Sequence, residues 1–209
     1  DTGRVAIQDE SAGLVVRALN PQPGETLLDA CAAPGGKTLA AATRMNGEGR
    51  IRAFDGHAGR LAQVRDAAAL HGFGEIVQTE AADLRAVAQR PSPPQADAVL
   101  LDAPCSGLGV LSKRADLRWQ RTPDDFAELT ALQDDLLDAA ATLVRPGGRL
   151  VYSTCTIAPE ENEDRVQAFL QRHPGFTPLP VAHVPDTLQT VQGHLATLPH
   201  RDGIDGAFA

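Results

Sequence analysis

The chain has 209 residues, of which 43% are hydrophobic and 22% charged, and its formal net charge is −8. That length suits one domain with a full core, no stretch approaches the ~20 apolar residues that span a bilayer, and the acidic balance excludes a globally basic nucleic-acid binder while leaving room for a local patch. Three cysteines, an odd number, and scattered histidines without zinc spacing predict no disulfide framework, no metal, no membrane partner and a cytoplasmic setting.

The opening Asp1-Thr2-Gly3-Arg4 lacks the charged and apolar regions of a signal peptide. Further on, apolar runs and helical patterns alternate. Thr26–Asp29 predicts a buried strand ending at a glycine-bearing loop (Asp29–Thr38), and Lys37–Met45 is alanine-rich and helical. Arg50–Asp55 predicts a second strand, with a helix through His71, and Gly74–Thr79 a third. Ala98–Asp102 is continuous and apolar, as a strand covered on both faces should be. A basic loop follows, where Lys113, Arg114, Arg118, Arg121 and Trp119 meet one acid, Asp116; on charge alone a solvated loop ranks ahead of RNA contact.

Phe126, Leu129, Leu132, Leu136, Leu137, Ala140, Leu143 and Val144 mark one face of a long helix, with Thr122 as N-cap and Pro123 in its first turn. Pro146-Gly147-Gly148 is expected to stop it, Arg149–Ser153 to form a fifth strand, and Pro159 to open a last helix with Glu160, Glu161 and Glu163 at its positive end. The tail after His173 is proline-rich, with strands expected near Phe176–Val181 and at Gly206–Ala209. Repeated strand–helix units predict an α/β fold with a mainly parallel sheet, whose ligands bind beyond the carboxyl ends of the strands. The Gly35–Gly36 loop, Asp55, Asp102, Cys105 and Cys155 all fall on that edge.

Three cofactors compete for the glycine loop. A P-loop is nearly met by Cys31–Thr38, but Cys31 stands where the first glycine belongs and Pro34 lacks an N–H for the phosphate cradle. A dinucleotide site finds its acid in Asp55, but Ala33-Pro34-Gly35-Gly36 lacks its glycine spacing. An S-adenosylmethionine site needs a close-approach loop and an acid after the second strand, and no pyrophosphate cradle, so it fits best.

With these motifs together, the chain resembles the RNA (cytosine-5) methyltransferases of the NOL1/NOP2/Sun family, most closely the bacterial 16S ribosomal RNA enzymes. Val5–Ala12 resembles the family's lead-in, Asp29–Thr38 its cofactor loop, Asp102–Gly107 its Asp-Ala-Pro-Cys-Ser-Gly loop, and Ser153–Glu163 its Thr-Cys…Pro-Glu-Glu-Asn-Glu segment. The resemblance implies a Rossmann-like S-adenosylmethionine-dependent methyltransferase fold of about seven strands, one antiparallel, with helices on both faces. It implies a single catalytic domain over residues 1–209, without the family's amino-terminal RNA-binding domain, and RNA, above all ribosomal RNA, as partner.

By motif position, Cys31, Ala32, Ala33, Pro34, Gly35, Gly36, Lys37, Asp55, Asp83 and Asp102 would contact S-adenosylmethionine. Cys155 would be the nucleophile, Cys105 would assist product release, and Asp102 would act beside them. Lys113, Arg114, Arg118 and Trp119 are the RNA-binding candidates. Two departures stand out: Gly56-His57 follows the second-strand acid, and Asp83 sits in Ala-Ala-Asp-Leu where the family has Gly-Asp-Gly. Cys105 remains a rival nucleophile, because DNA cytosine-5 methyltransferases attack with the cysteine of a Pro-Cys pair. A P-loop nucleotide hydrolase and a non-catalytic RNA-binding protein remain the alternatives.

Overall fold

The computed structural model describes Gly3 and residues 5–209; Asp1, Thr2 and Arg4, part of the amino-terminal reading, lie outside the described residues. The first element, α1 (Glu10–Leu19), falls partly within the lead-in segment and was not expected as a helix. Asp9 caps it by accepting the Ser11 N–H at 2.9 Å, and its buried face is Leu14, Val15, Val16 and Leu19. Then come β1 (Thr26–Asp29), α2 (Gly36–Arg44), β2 (Arg50–Asp55), α3 (Ala58–Leu70), β3 (Val77–Ala81), α4 (Leu84–Ala88) and β4 (Ala96–Asp102). They are followed by α5 (Leu117–Gln120), α6 (Pro123–Ala141), β5 (Val144–Ser153), a 3-10 turn at Pro159–Glu161 and α7 (Glu163–Arg172). A small antiparallel pair joins β6 (Ala196–Thr197) to β7 (Ala207–Phe208).

The five main strands are all parallel, in the order β3-β2-β1-β4-β5. In β4, Ala98 and Leu100 join the cluster of α1 and α2 residues, while Val99 and Leu101 join that of α6 and α7. Both faces are therefore covered, which is why this strand reads as an unbroken apolar run. α6 starts as its sequence predicts: the Thr122 N–H donates to Asp125 at 2.6 Å, and Pro123 occupies the first turn.

The central sheet differs from expectation in strand number, with five parallel strands rather than about seven with one antiparallel. Antiparallel pairing is confined to β6–β7 and to isolated bridges, one of which joins Thr154 to Phe208. No strand forms over Phe176–Val181, where Pro178 and Pro180 cannot donate to a ladder. The third strand starts later than expected, at Val77, because the chain turns first with both Ile76 and Val77 donating to the Phe73 carbonyl. Pro146-Gly147-Gly148 does not end α6, which stops at Ala141; these residues bulge within β5, where Gly147 takes φ +79°. Glu161 is buried in the 3-10 turn rather than exposed at a helix end.

Candidate active site

The strand order turns back between β1 and β4, since β2 and β3 lie to one side and β5 to the other. A crevice opens at such a point, beyond the carboxyl ends of the strands. Here it is a cavity of about 170 Å³, lined by Gln8, Ala12, Asp29, Asp102 and the loop from Cys31 to Lys37.

The loop's path is set by its neighbours. Ala32 donates to the Phe54 carbonyl at 2.9 Å and Ala33 to Asp55 Oδ2 at 3.2 Å, tying it to the end of β2. Gly35 takes φ +111°, and a Cβ there would lie 3.2 Å from the Val64 Cα, so the loop can lie against α3 only with glycine at this position. At Gly36 a Cβ would meet Gln8 Nε2 at 3.4 Å, within the cavity wall.

Asp29 ends β1 fully inside the protein. Its Oδ2 accepts the Thr38 hydroxyl at 2.7 Å, while Oδ1 has no partner among the described residues. Burial pushes its pKa up to about 7, with the Asp102 and Asp55 charges adding to the effect. The unfolded carboxyl releases its proton near 3.8, so between about pH 4 and 7 the folded chain holds the extra proton and stability falls as pH rises. Asp29→Asn is expected to flatten that decline in thermal unfolding midpoints across pH 4–7. An unchanged slope would place the titration on another group.

The two thiols meet beside this cavity. Cys105 Sγ and Cys155 Sγ lie 3.4 Å apart, brought there by the loops that leave β4 and β5. Asp102, at the end of β4, accepts Lys37 Nζ at 2.7 Å and the Ser153 hydroxyl at 2.8 Å. Burial opposes the Lys37 charge, but the Asp102 carboxylate more than offsets it and holds the lysine pKa above its ordinary value. The hydrogen bond shared with Cys105 holds the Cys155 thiol below its usual range, with the Lys37 ammonium helping. The same bond, with burial, pushes Cys105 up. The two shifts run in opposite directions, with Cys155 drawn toward the thiolate form and Cys105 away from it. Cys31, by contrast, is pushed up by burial alone before any charge is counted.

Cys31 through Lys37, Asp102, Cys105 and Cys155 therefore gather in one place. Asp55 stands at its margin, accepting the N–H groups of Ala33 and His57 and facing Arg60 at 3.5 Å. Asp83 caps α4 and is gripped by Arg85 at 2.7 Å, and it does not line the cavity. Lys113 is ion-paired with Asp9 and Asp205, and Arg114 with Asp116, whereas Trp119 is 85% exposed. Arg121 turns inward and donates to the Ser106 carbonyl at 3.0 Å, bracing the Cys105 loop. Sequence reading missed Gln8, Asp29, Ser153 and Glu161. Asp29 alone left a signal, as an acid closing an apolar strand immediately before the glycine loop.

Among the described residues no group of His, Cys, Asp and Glu is arranged to hold a metal ion, and no helix is long and apolar enough to cross a membrane. The family model for the 16S rRNA methyltransferase RsmB/F matches residues 16–209. The chain is 42% identical over 210 residues to the probable ribosomal RNA small subunit methyltransferase B of Bacillus subtilis, covering 99% of this chain and 47% of that protein. It is 44% identical over 205 residues to its namesake from Synechocystis, covering 97% and 46%. The chain thus spans just under half the length of these curated relatives. A crystal structure of NSun6 from Pyrococcus horikoshii with SFG superposes with a TM-score of 0.88 at 30% identity, over 99% of this chain and 52% of that one.

Proposed function

The chain belongs to the 16S rRNA methyltransferase RsmB/F family, and from that premise we propose that it methylates cytosine C5 in RNA, with S-adenosylmethionine as methyl donor and 16S ribosomal RNA as substrate. The observation that carries this reading is the pair of thiols 3.4 Å apart, beside the Lys37–Asp102 pair at the glycine-loop cavity.

The cavity's own atoms fit the cofactor. Gln8 Nε2, a donor, and Asp29 Oδ1, an acceptor, are buried atoms of cavity-lining residues without a hydrogen-bond partner among the described residues. Together they complement the carboxylate and ammonium of an amino-acid group. Gln8, Asp29 and the loop from Cys31 to Lys37 would hold that end. Asp55 would take the ribose hydroxyls, since a carboxylate offers about four lone-pair positions and its protein contacts do not fill them. Asp83, engaged by Arg85, would contribute only where the cofactor displaces that guanidinium. When bound, S-adenosylmethionine supplies an electrophilic methyl group.

C5 of cytosine is a poor nucleophile until a thiolate adds to C6. Cys155 would form the Sγ–C6 bond, and the C5=C6 electron pair becomes available at C5. Asp102, fixed by Lys37 and Ser153, is the group beside that sulfur able to hold a proton at the ring nitrogen as it gains electron density. After methyl transfer a base, supplied by Cys105 in its thiolate form or by solvent, takes the C5 proton; the C5–H electron pair re-forms C5=C6, and the Sγ–C6 bond breaks with Cys155 departing as thiolate. The base must be unpaired or flipped to expose C5 and C6.

The RNA surface would run along α5. Lys113 and Arg114 are committed to carboxylates, so Arg118 and Trp119, both exposed, are the better probes. Replacing both with alanine is expected to weaken RNA binding, by about 1–3 kcal/mol if Trp119 stacks on a base. The salt dependence should flatten while cofactor affinity is unchanged. Unaltered RNA binding would move the interface elsewhere.

Calorimetry with S-adenosylmethionine and with ATP separates this reading from a P-loop hydrolase. Saturable S-adenosylmethionine binding is expected, and ATP binding in its place would overturn the proposal. A binder without turnover would take the cofactor yet incorporate no methyl group into RNA.

A further inference from the structure

Two consecutive residues after the Cys155 loop each grip one cysteine loop. Glu161 is fully buried, and its Oε1 accepts the Ser106 N–H at 2.8 Å and the Gln133 amide at 2.9 Å. Gln133 also donates to the Pro104 carbonyl at 2.9 Å, so the residues on both sides of Cys105 are held from the Glu161–Gln133 pair. Asn162 grips the other loop: its Oδ1 accepts the Thr154 hydroxyl at 2.6 Å and its Nδ2 donates to the Thr156 carbonyl at 3.1 Å. A 2.7 Å hydrogen bond between the Ser106 and Thr156 hydroxyls closes the circuit.

Holding a loop does not require a carboxyl group. A glutamine at 161 would offer the same acceptor oxygen to Ser106 without burying an acid, and a buried charge is costly unless it is paired and hydrogen-bonded. Glu161 Oε2 has no hydrogen-bond partner among the described residues, and the carboxyl group holds the loop that carries Cys105.

We propose that Glu161 is a positioning residue that assigns the proton shared by the two thiols to Cys105, leaving Cys155 as the sulfur that attacks. The proposal rests on the two-thiol reading above. Negative charge on the Cys105 side and the Lys37 ammonium on the Cys155 side bias one proton toward Cys105 Sγ, from which it is donated to Cys155 Sγ. Only the position of that S–H proton is at stake.

The shifts at the two sulfurs agree: Cys155 and burial push Cys105 up and Glu161 adds to them, while Cys105 and Lys37 draw Cys155 down. The other groups facing the pair are Asp102 and Arg114 near Cys155, the Tyr152 hydroxyl near Cys105, and Arg121 on the Cys105 and Ser106 carbonyls. Tyr152 donates to the Glu161 main-chain carbonyl at 2.7 Å rather than to its carboxylate. Asp134 and its partner Arg165 lie beyond it.

The test uses iodoacetamide on the protein alone, across a pH series, with modification at Cys31, Cys105 and Cys155 scored separately by peptide mass spectrometry. In Glu161→Gln the alkylation midpoint of Cys105 is expected to fall by about one pH unit, raising its modification near neutral pH about tenfold. A folded Glu161→Gln protein with unchanged midpoints overturns the proposal. If that variant does not fold, each thiol is measured alone with Glu161 in place. Cys105 in Cys155→Ala should titrate above Cys155 in Cys105→Ala, and the reverse order overturns the assignment. Neither RNA nor cofactor is present, so failure here is distinct from failure of the methylation reading, which methyl incorporation decides.

Discussion

Cys155→Ala is expected to abolish methylation, on the order of 10⁴-fold or more as for loss of a covalent nucleophile, and to form no covalent RNA adduct. Cys105→Ala is expected to behave in the opposite way. Its Cys155 can still add to C6, but elimination slows, so a covalent protein–RNA species accumulates and survives denaturing electrophoresis. The two sulfurs lie 3.4 Å apart, so each could reach C6 of a base placed beside the pair, and distance alone does not divide their labour. Their surroundings differ: the Lys37 ammonium lowers the Cys155 pKa, whereas the Glu161 carboxyl holds the loop that carries Cys105. An adduct trapped by Cys155→Ala and absent from Cys105→Ala would reverse the assignment.

Lys37→Met carries the second large effect. Lys37 is the cation that both pairs with Asp102 at 2.7 Å and favours the Cys155 thiolate. Removing it leaves Asp102 with Ser153 among the described residues and is expected to raise the pKa of Cys155. The rising limb of the pH–rate profile should therefore move to higher pH, and kcat should fall by about 10²–10³-fold, the range for losing one charge-stabilising group in a site that excludes water. Lys37→Arg, which keeps the charge, should restore the position of the pH limb more than it restores the rate. A folded Lys37→Met protein with an unmoved limb would separate Lys37 from the thiol chemistry and leave it only a cofactor contact.

Much of this arrangement was legible in the amino-acid order, for identifiable reasons. β1 and β4 announce themselves because each is an apolar run ending in an acid, β2 because Ile51, Ala53 and Phe54 lead to Asp55, and Thr122-Pro123 writes its own helix start. The strand-end rule then gathers Asp102, Cys105 and Cys155 without any knowledge of contacts. What stayed hidden depends on partners distant in sequence. Nothing in the sequence foretells the ion pair of Asp83 with Arg85, and Glu161 reads as a helix-dipole residue until Ser106 and Gln133 are found on its carboxyl group. Gln8 lies in the lead-in segment but carries no mark of its own there, and only the cavity it faces gives it meaning. Pro146-Gly147-Gly148 illustrates the same limit for the backbone: a helix-stopping triplet also serves as a bulge within a strand.

The most direct test of the central claim is methyl transfer itself. The protein is incubated with methyl-labelled S-adenosylmethionine and 16S ribosomal RNA, the RNA is digested to nucleosides, and the labelled nucleoside is identified. The account predicts label in 5-methylcytidine, lost in Cys155→Ala. Label confined to any other nucleoside, or 5-methylcytidine formed undiminished by Cys155→Ala, would contradict it.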